Sequence, residues 1–315
     1  MSRFRSMRMK QIVLVVAACC FSSSLAAQDQ PTRPKITGID HVRIYVTDIE
    51  KSRAFYSHLI GVRPGGRCFY TSVPCFTVGW RENQTILLEK FSSLDAKNWL
   101  AEVSFATDDV ERMRSYLVAH RVTVSKISND LNPQGKQPYD AHFEVRDPEG
   151  NLISFIQRFA IPEDDPPPAA QSYVRILHAG FVVKDLAAEN RFYMDLLGFR
   201  LYWYGGFKDK DTDWYEIQVP DGHSWIEYML NIPATADHKE LGVQNHFSLG
   251  VKDANSAATQ LRKNGLQQFD GPEIGRDGKN SLDAYDPDGT RVEIMEFAPT
   301  QKPCCHPYTS EHPKP

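Results

Sequence analysis

The stretch that decides the fold lies near the C-terminal end and begins Asn245-His246-Phe247-Ser248-Leu249. It continues through a helical pattern at Ala257-Ala258-Thr259-Gln260-Leu261, turns at Asp286-Pro287-Asp288-Gly289 and closes with Thr290-Arg291-Val292-Glu293-Ile294-Met295-Glu296. Proline at the second turn position and glycine at the fourth are typical of a type I turn that leads into a last strand. His246 and Glu293 stand among apolar strand residues, where a polar side chain needs a partner.

The same pattern occurs four times, which predicts an internal repeat. At a constant offset of 137 residues, His41, Asp48, Phe55, Tyr56, Leu59, Gly61 and Arg63 all recur in the second half of the chain, beginning with His178. A second offset, of 144 residues, relates the segment 102–117 to the segment 246–261. The sequence therefore predicts four strand-helix-strand-strand-strand units, at about 36–91, 98–159, 174–231 and 241–298.

The spacing of the units predicts two domains in the mature chain. An acidic, proline-rich segment separates the second unit from the third and predicts a linker at 161–173, stiffened towards polyproline II. We expect an N-terminal domain at 36–160 and a C-terminal domain at 174–298, each built from two consecutive units. Pairing of the first unit with the fourth, and of the second with the third, is the alternative. The tail at 299–315, rich in proline, histidine and lysine, is expected to be disordered.

The N-terminus has the composition of an export signal. A basic start is followed by a short apolar run at 12–18 and by small residues at 24–27. We expect a signal peptide at 1–27 and an exported protein, periplasmic or secreted, with a lipid anchor at Cys19 as the alternative. An oxidising compartment would permit a disulfide between Cys68 and Cys75, although two free thiols fit the sequence as well.

Composition excludes several classes of function. The chain has 315 residues, 41% of them hydrophobic, and a net charge of −4 that becomes −8 when the four basic residues of the signal are removed. A mildly acidic protein has no electrostatic footprint for nucleic acid. No later segment approaches the length of a membrane span, and we find no phosphate-binding loop or nucleophile elbow. The expected partner is a small molecule, bound by a monomer or a homodimer.

These features resemble the vicinal oxygen chelate superfamily, which includes glyoxalase I, extradiol dioxygenases, methylmalonyl-CoA epimerase and bleomycin or fosfomycin resistance proteins. The resemblance rests on the histidine-bearing strand, the helix that ends Phe-Tyr…Leu-Gly and the hairpin Asp-Pro-Asp-Gly…Glu, and it covers all four units. It implies an α+β fold in which four βαβββ units pair into two cup-shaped, glyoxalase-like domains. In that family a metal ion binds inside the cup.

In the C-terminal half, the positions that match the family's metal ligands are His178, Glu227, His246 and Glu293. The set is similar to that of nickel- or zinc-dependent glyoxalase I, while His178, His246 and Glu293 alone would satisfy the triad of extradiol dioxygenases. Imidazole and carboxylate ligands suit one divalent ion, which could be nickel, zinc, iron or manganese. Glu227 and Glu293 are also the candidate catalytic residues, because a carboxylate that loosens from the metal can take a proton.

The N-terminal half departs from this ligand pattern. It keeps His41 and Glu89, but Glu102 stands at the position of His246 and Ser154 at that of Glu293. A serine hydroxyl is a poor replacement for a carboxylate ligand, so we expect this half to be structural. If units pair across the halves, His41 and Glu89 would instead replace His178 and Glu227.

The ligand set favours an enzyme, a metal-dependent lyase or isomerase of the glyoxalase I type that transfers a proton next to a carbonyl. An extradiol dioxygenase that uses Fe(II) is the alternative, disfavoured because Asp283 stands where that group places a tyrosine, three residues before the aspartate of the turn. A binding protein of the resistance type, without turnover, is the second alternative. Glutathione is mainly cytoplasmic, so an exported enzyme is expected to act on another substrate.

Overall fold

The structure is a computed structural model that describes residues 31–65, 73–79, 84–91, 99–131, 138–159 and 173–315. The expected signal peptide with Cys19, nearly all of the expected linker, and Cys68 with its predicted disulfide lie outside these residues. The segment 31–315 forms one compact unit. Within the described ranges, no helix has both the length and the apolar character needed to cross a membrane.

The described strands form two eight-stranded sheets, one in each half of the chain. The first sheet has the order β2-β3-β4-β1-β5-β8-β7-β6 and contains β1 (Ile36–Val46), β2 (Arg63–Pro64), β3 (Cys75–Val78), β4 (Gln84–Lys90), β5 (Leu100–Thr107), β6 (Ser128–Leu131), β7 (Pro138–Arg146) and β8 (Leu152–Arg158). The second has the equivalent order β10-β11-β12-β9-β13-β16-β15-β14 and contains β9 (Arg175–Val182), β10 (Arg200–Gly205), β11 (Trp214–Gln218), β12 (Trp225–Met229), β13 (His246–Val251), β14 (Asp270–Ile274), β15 (Asn280–Tyr285) and β16 (Arg291–Glu296).

Each sheet is joined at its centre by the first strands of two consecutive units. β1 pairs antiparallel with β5, and β9 pairs antiparallel with β13. Each of these strands also pairs in parallel with the last strand of its own unit, namely β4, β8, β12 or β16. The units therefore pair within the halves and not across them. The predicted α+β fold of four βαβββ units in two cup-shaped domains is confirmed.

A helix follows the first strand of each unit and begins after an aspartate, and one further helix, α4 (His238–Gln244), precedes the first strand of the fourth unit. The described helices are α1 (Ile49–Ala54, continued by a π-helix at Phe55–Ile60), α2 (Val110–Ala119), α3 (Leu186–Asn190, continued by a π-helix at Arg191–Leu196), α4 (His238–Gln244) and α5 (Ala254–Lys263). The carboxylates of Asp48, Asp109, Asp185 and Asp253 accept hydrogen bonds from backbone N–H groups of the first turn, which otherwise lack partners. These local signals are why the repeat is visible in the sequence.

Among the described residues, the larger of two apolar clusters spans both halves. The ring of Tyr56 lies 6.4 Å from that of Phe247, and the ring of Phe105 lies 5.5 Å from that of Phe199. Aromatic side chains of the first half therefore pack against aromatic side chains of the second half. The contact is also polar. The Tyr56 hydroxyl donates to Asp286 at 3.1 Å, and in the equivalent place the Tyr193 hydroxyl donates to Asp147 at 3.2 Å. Each half thus binds the Asp-Pro-x-Gly turn of the other half.

The C-terminal tail is ordered, contrary to the prediction of disorder for 299–315. It packs on the second sheet, where the Tyr308 ring lies 4.7 Å from the Tyr202 ring and Trp203 Nε1 donates to the His306 carbonyl at 3.1 Å. Cys304 and Cys305 form a disulfide with each other. Composition alone suggested disorder, but the aromatic side chains of β10 provide an apolar surface on which a proline-rich segment can pack.

Candidate metal centre

The four predicted ligands meet on one face of the second sheet, near its centre. His178 comes from β9, Glu227 from β12, His246 from β13 and Glu293 from β16. These four strands are adjacent in the sheet, and their register places the ligands opposite or next to one another: Glu227 and His246 both pair with Gly180. His178 and His246 therefore face each other inside the cup.

The ligand atoms of the four residues form a tight cluster. His178 Nε2 lies 3.0 Å from His246 Nε2 and 3.1 Å from Glu293 Oε2, and Glu227 Oε2 lies 3.2 Å from His246 Nε2. The two remaining histidine–glutamate distances are 3.8 and 3.9 Å. Nitrogen and oxygen ligands held about 2.0–2.2 Å from one ion stand about 3–3.6 Å from each other in tetrahedral or octahedral geometry. His178, Glu227 and His246 offer ligand atoms that all lie within 4.8 Å of one another, the dimensions of a site for one ion, and Glu293 adjoins this group through its contact with His178.

Burial prepares both imidazoles to act as ligands. Burial lowers the pKa of His178 to about 3 and that of His246 well below its ordinary value, so both rings are neutral and keep a lone pair. The carbonyl of Gln244 lies 3.0 Å from His246 Nδ1; since a carbonyl only accepts, Nδ1 carries the hydrogen and Nε2 faces the cluster with its lone pair. Two neutral imidazoles and two carboxylates are a ligand set that fits a divalent ion.

The carboxylates form the open side of the cluster. The side chains of Glu227 and Glu293 are 12% and 11% exposed, whereas those of His178 and His246 are 1% and 0% exposed. The histidines therefore form the floor of the site. A small molecule that reaches the cluster meets the glutamates first, which is the placement that a proton-transferring group needs.

Behind His178 the cup is filled. The Trp225 ring lies 4.8 Å from the His178 ring, and the buried ammonium of Lys279 lies 4.2 Å from the centre of the Trp225 ring and 3.3 Å from Asp277. Tyr308 of the tail covers this group, with its hydroxyl donating to Asp277 at 2.9 Å. The surroundings of His178 are therefore packed, whereas Glu227 and Glu293 keep the exposed surface of the cluster.

Sequence reasoning missed Gly180, which gives the His246 ring its space. A Cβ added at Gly180 would lie 2.2 Å from His246 Cε1 and 2.3 Å from Nδ1, far inside van der Waals contact. The repeat offered a signal for this glycine, because the residue that aligns with Gly180 at the 137-residue offset is Arg43. This difference between the halves lies two residues after the candidate ligand His178. A glycine at this point marks a close approach of another group.

The equivalent place in the N-terminal half is filled by the guanidinium of Arg43. Its Nη2 lies 2.9 Å from Glu102 and its Nη1 3.2 Å from Glu89. His41 contacts Glu102 at 3.7 Å and also Asp40 at 2.9 Å. The guanidinium of Arg43 therefore supplies, in this half, the positive charge that a metal ion would supply in the other half.

The match of Glu89 with Glu227 was wrong in register. In the second sheet Glu227 pairs with Gly180, and in the first sheet the residue that pairs with Arg43 is Leu87. Glu89 pairs with Tyr45 and lies two residues further along the same face. Strand pairing sets this register. The offset of 137 residues between the first strands of the two halves does not hold for the last strands of these units, because the loops between the strands differ in length.

The comparisons with known proteins agree with this architecture. The family model of the Glyoxalase/Bleomycin resistance protein/Dioxygenase superfamily matches residues 38–155 and 175–294. An uncharacterised protein of Bacillus subtilis strain 168, YwbC, is 27% identical over 128 residues, which cover 38% of this chain and 97% of that protein.

Two solved structures are similar over most of the chain. Homoprotocatechuate 2,3-dioxygenase from Brevibacterium fuscum, in a complex with 3,4-dihydroxyphenylacetate, has a TM-score of 0.61 at 18% identity and covers 89% of this chain and 84% of its own. The 2,3-dioxygenase LapB from Pseudomonas sp. KL28 has a TM-score of 0.62 at 16% identity, with coverages of 90% and 96%. At such identities the likeness shows the fold alone. The match of the family model to both halves shows that the chain belongs to the Glyoxalase/Bleomycin resistance protein/Dioxygenase superfamily.

Proposed function

We propose that the C-terminal domain binds one divalent metal ion through His178, Glu227, His246 and Glu293 and transfers a proton next to a carbonyl group of a small molecule, as a lyase or isomerase of the glyoxalase I type. The observation that carries the proposal is the position of the fourth ligand. Glu227 Oε2 lies 3.2 Å from His246 Nε2 and 3.8 Å from His178 Nε2, inside the cluster. A triad of two histidines and one carboxylate would not need it.

The arrangement of the residues suits this chemistry. A divalent ion held here would stabilise the negative charge that develops on a carbonyl oxygen when a neighbouring C–H proton is removed. On an ion that takes six ligands, these four residues would leave room for two adjacent substrate oxygens. Glu227 and Glu293 take and return the proton because they are the two ligands that face the open side, while the buried histidines keep their places.

A second candidate is a ring-cleaving dioxygenase that uses Fe(II). It is favoured by the two similar structures, which are 2,3-dioxygenases, and by the triad of His178, His246 and Glu293. Asp283 disfavours a ring-cleaving dioxygenase. This residue pairs with Glu293 in the sheet and contacts Arg291 at 3.4 Å, so a carboxylate stands where ring cleavage would place a tyrosine. Binding of a small molecule without turnover is a third candidate.

We also propose that the protein is exported, to the periplasm or the medium. This rests on the basic and apolar pattern of residues 1–27, with lipidation at Cys19 as the alternative. An exported lyase or isomerase would act on a substrate other than a glutathione adduct.

The metal site is tested by mass spectrometry of the purified protein. We expect about one equivalent of a divalent metal in the wild type, and its loss in His178→Ala and in His246→Ala. The matched control is His41→Ala, which removes the equivalent histidine of the first half and is expected to keep the metal. Loss of metal in His41→Ala with retention in His178→Ala would contradict the proposal, and absence of metal after loading with each ion would leave only the binding protein.

The reaction class is tested with Glu227→Gln. Proton transfer predicts that the wild type exchanges the C–H next to a carbonyl with solvent deuterium, detected by NMR on a panel of 2-hydroxy and 2-oxo aldehydes and ketones. It also predicts that Glu227→Gln binds metal about 10- to 100-fold more weakly and stops the exchange. Oxygen consumption with catechols by the iron-loaded wild type, retained in Glu227→Gln, would instead establish the dioxygenase.

A further inference from the structure

Arg291 is a buried guanidinium on the open side of the candidate metal centre. It lies on β16 two residues before Glu293, so the two side chains share a face of the sheet. Its Nη2 lies 2.9 Å from Nδ1 and 2.8 Å from Nε2 of His246. The guanidinium is therefore in direct contact with the imidazole of His246, and it shares the face of the sheet on which Glu293 lies.

The donors of this guanidinium are incompletely used. A guanidinium has five N–H donors and no acceptor. The acidic partner of Arg291 within ion-pair distance is Asp283, at 3.4 Å from Nη1, and Nε is buried without a hydrogen-bond partner. The side chain is only 15% exposed, so water does not replace the missing acceptors at low cost. The arrangement calls for a further acceptor at the open side.

The fold does not require an arginine at this place. β8 of the first half pairs with β5 as β16 pairs with β13, and the residue of β8 at the position of Arg291 is Leu152. Arg291 thus occurs in the half that has all four candidate ligands. It has no counterpart in the first half, where the guanidinium of Arg43 occupies the place of the ion. Its role is therefore tied to what the cup binds and not to the stability of the sheet.

Charge complementarity identifies the kind of ligand. The two glutamates neutralise a divalent ion, and Asp283 contacts only one of the two terminal nitrogens of Arg291. Arginine binds planar carboxylates through two parallel N–H donors. A substrate that carries a carboxylate near its two metal-binding oxygens would supply a second acidic partner for the guanidinium, on the side that Asp283 does not contact.

We propose that Arg291 is a substrate-binding residue that selects for a carboxylate on the substrate, close to the two adjacent oxygens that the metal ion binds. The inference rests on the proposed metal site and adds the class of substrate to it. The substrate is then a small hydroxy or oxo acid, whichever reaction follows.

The experiment uses two hydroxamates, which bind metal ions through two adjacent oxygens. Acetohydroxamate has no further charge, and succinate monohydroxamate carries a carboxylate. Both are titrated by calorimetry into the metal-loaded wild type, Arg291→Met and a control, Arg200→Met, which removes an exposed arginine of β10. We expect the carboxylate probe to bind the wild type and the control about 10- to 100-fold more tightly than the neutral probe, and Arg291→Met to lose this preference with unchanged metal content.

The outcomes separate this inference from the proposed function. Equal affinity of both probes for the wild type overturns the role of Arg291 and leaves the metal site standing. An equal loss of both probes in Arg291→Met also overturns it, because a residue that merely supports His246 would affect both. No binding of either probe to the wild type overturns the proposed function as well. If Arg291→Met does not fold, Asp283→Asn replaces it: removal of the competing carboxylate should strengthen the carboxylate probe alone, and an unchanged preference contradicts the inference.

Discussion

The backbone of Gly180 lies directly against the imidazole of His246. A Cβ at residue 180 would come within 2.2 Å of His246 Cε1 and 3.1 Å of Nε2. The two residues are also backbone partners in the antiparallel pair of β9 and β13. The absence of a side chain at Gly180 is therefore what allows His246 to turn its Nε2 towards His178.

We expect Gly180→Ala to displace the His246 ring and weaken metal binding about 10- to 100-fold, as the loss of a supporting contact around a metal ligand does. The measurement is the dissociation constant of the metal by competition with a chromophoric chelator. Gly38→Ala, on β1, is the control, because its Cβ would meet Ser224 Oγ at an ordinary 3.4 Å. Wild-type affinity in Gly180→Ala would show that His246 is not a ligand in this orientation.

Arg43 provides the charge compensation of the first half. We expect Arg43→Met to lower the free energy of unfolding by about 2–4 kcal/mol, because the buried carboxylate of Glu102 loses its closest cation. Urea unfolding at pH 7 measures the change. Arg53→Met, which removes an exposed arginine, should change it by less than about 1 kcal/mol. The double variant Arg43→Met with Glu102→Leu should recover most of the loss, and no recovery would mean that Arg43 acts by packing alone.

A buried carboxyl at the contact between the halves makes stability depend on pH. Glu189 Oε1 accepts from the Glu149 N–H at 2.9 Å, while Oε2 is buried without a partner. Burial, with the nearby charge of Asp147 adding to it, raises the pKa of Glu189 to about 8, and burial raises the pKa of Asp147 to about 6. A carboxyl whose folded pKa lies above its unfolded pKa stabilises the fold at low pH, and this contribution is lost as pH rises to the folded pKa.

We therefore expect the contribution of Glu189 to be lost between about pH 4.5 and pH 8, so that Glu189→Gln gains stability relative to the wild type as pH rises through this window. At pH 8.5 the variant should be more stable by an amount on the order of 1–3 kcal/mol, because a neutral amide replaces a carboxylate that must ionise in a buried place. Thermal unfolding across this pH range is the measurement. Glu111→Gln, at an exposed position of α2, should follow the wild type. Parallel pH profiles for wild type and Glu189→Gln would contradict the assignment.

Tyr308 anchors the C-terminal tail. Its ring packs against Tyr202 and lies 4.9 Å from the Lys279 ammonium, and its hydroxyl donates to Asp277. We expect Tyr308→Ala to lower the free energy of unfolding by about 2–4 kcal/mol through the lost packing. Tyr308→Phe keeps the ring and should cost no more than about 1.5 kcal/mol. If removal of residues 299–315 left the unfolding curve unchanged, the tail would not contribute to the stability of the second sheet.

The repeat, the fold and the four candidate ligand positions were accessible from the sequence. Alternating apolar residues, aspartate caps such as Asp48 and Asp185, and the Asp-Pro-x-Gly turns are local signals, and the offset between His41 and His178 showed that they repeat. Because the first strands of repeated units occupy equivalent places in the sheet, the sequence could place His178 and His246 close together, whereas their role as metal ligands stays a prediction.

Other features depend on contacts between distant parts of the chain. The space that Gly180 leaves for His246, the insertion of Arg43 between Glu102 and Glu89, and the shift that places Leu87 at the position of Glu227 all follow from strand register. Register is set by backbone pairing across the sheet, which a one-dimensional offset does not contain. The order of the tail likewise depends on an aromatic surface built by β10 about a hundred residues earlier, and only the tertiary structure brings the two together.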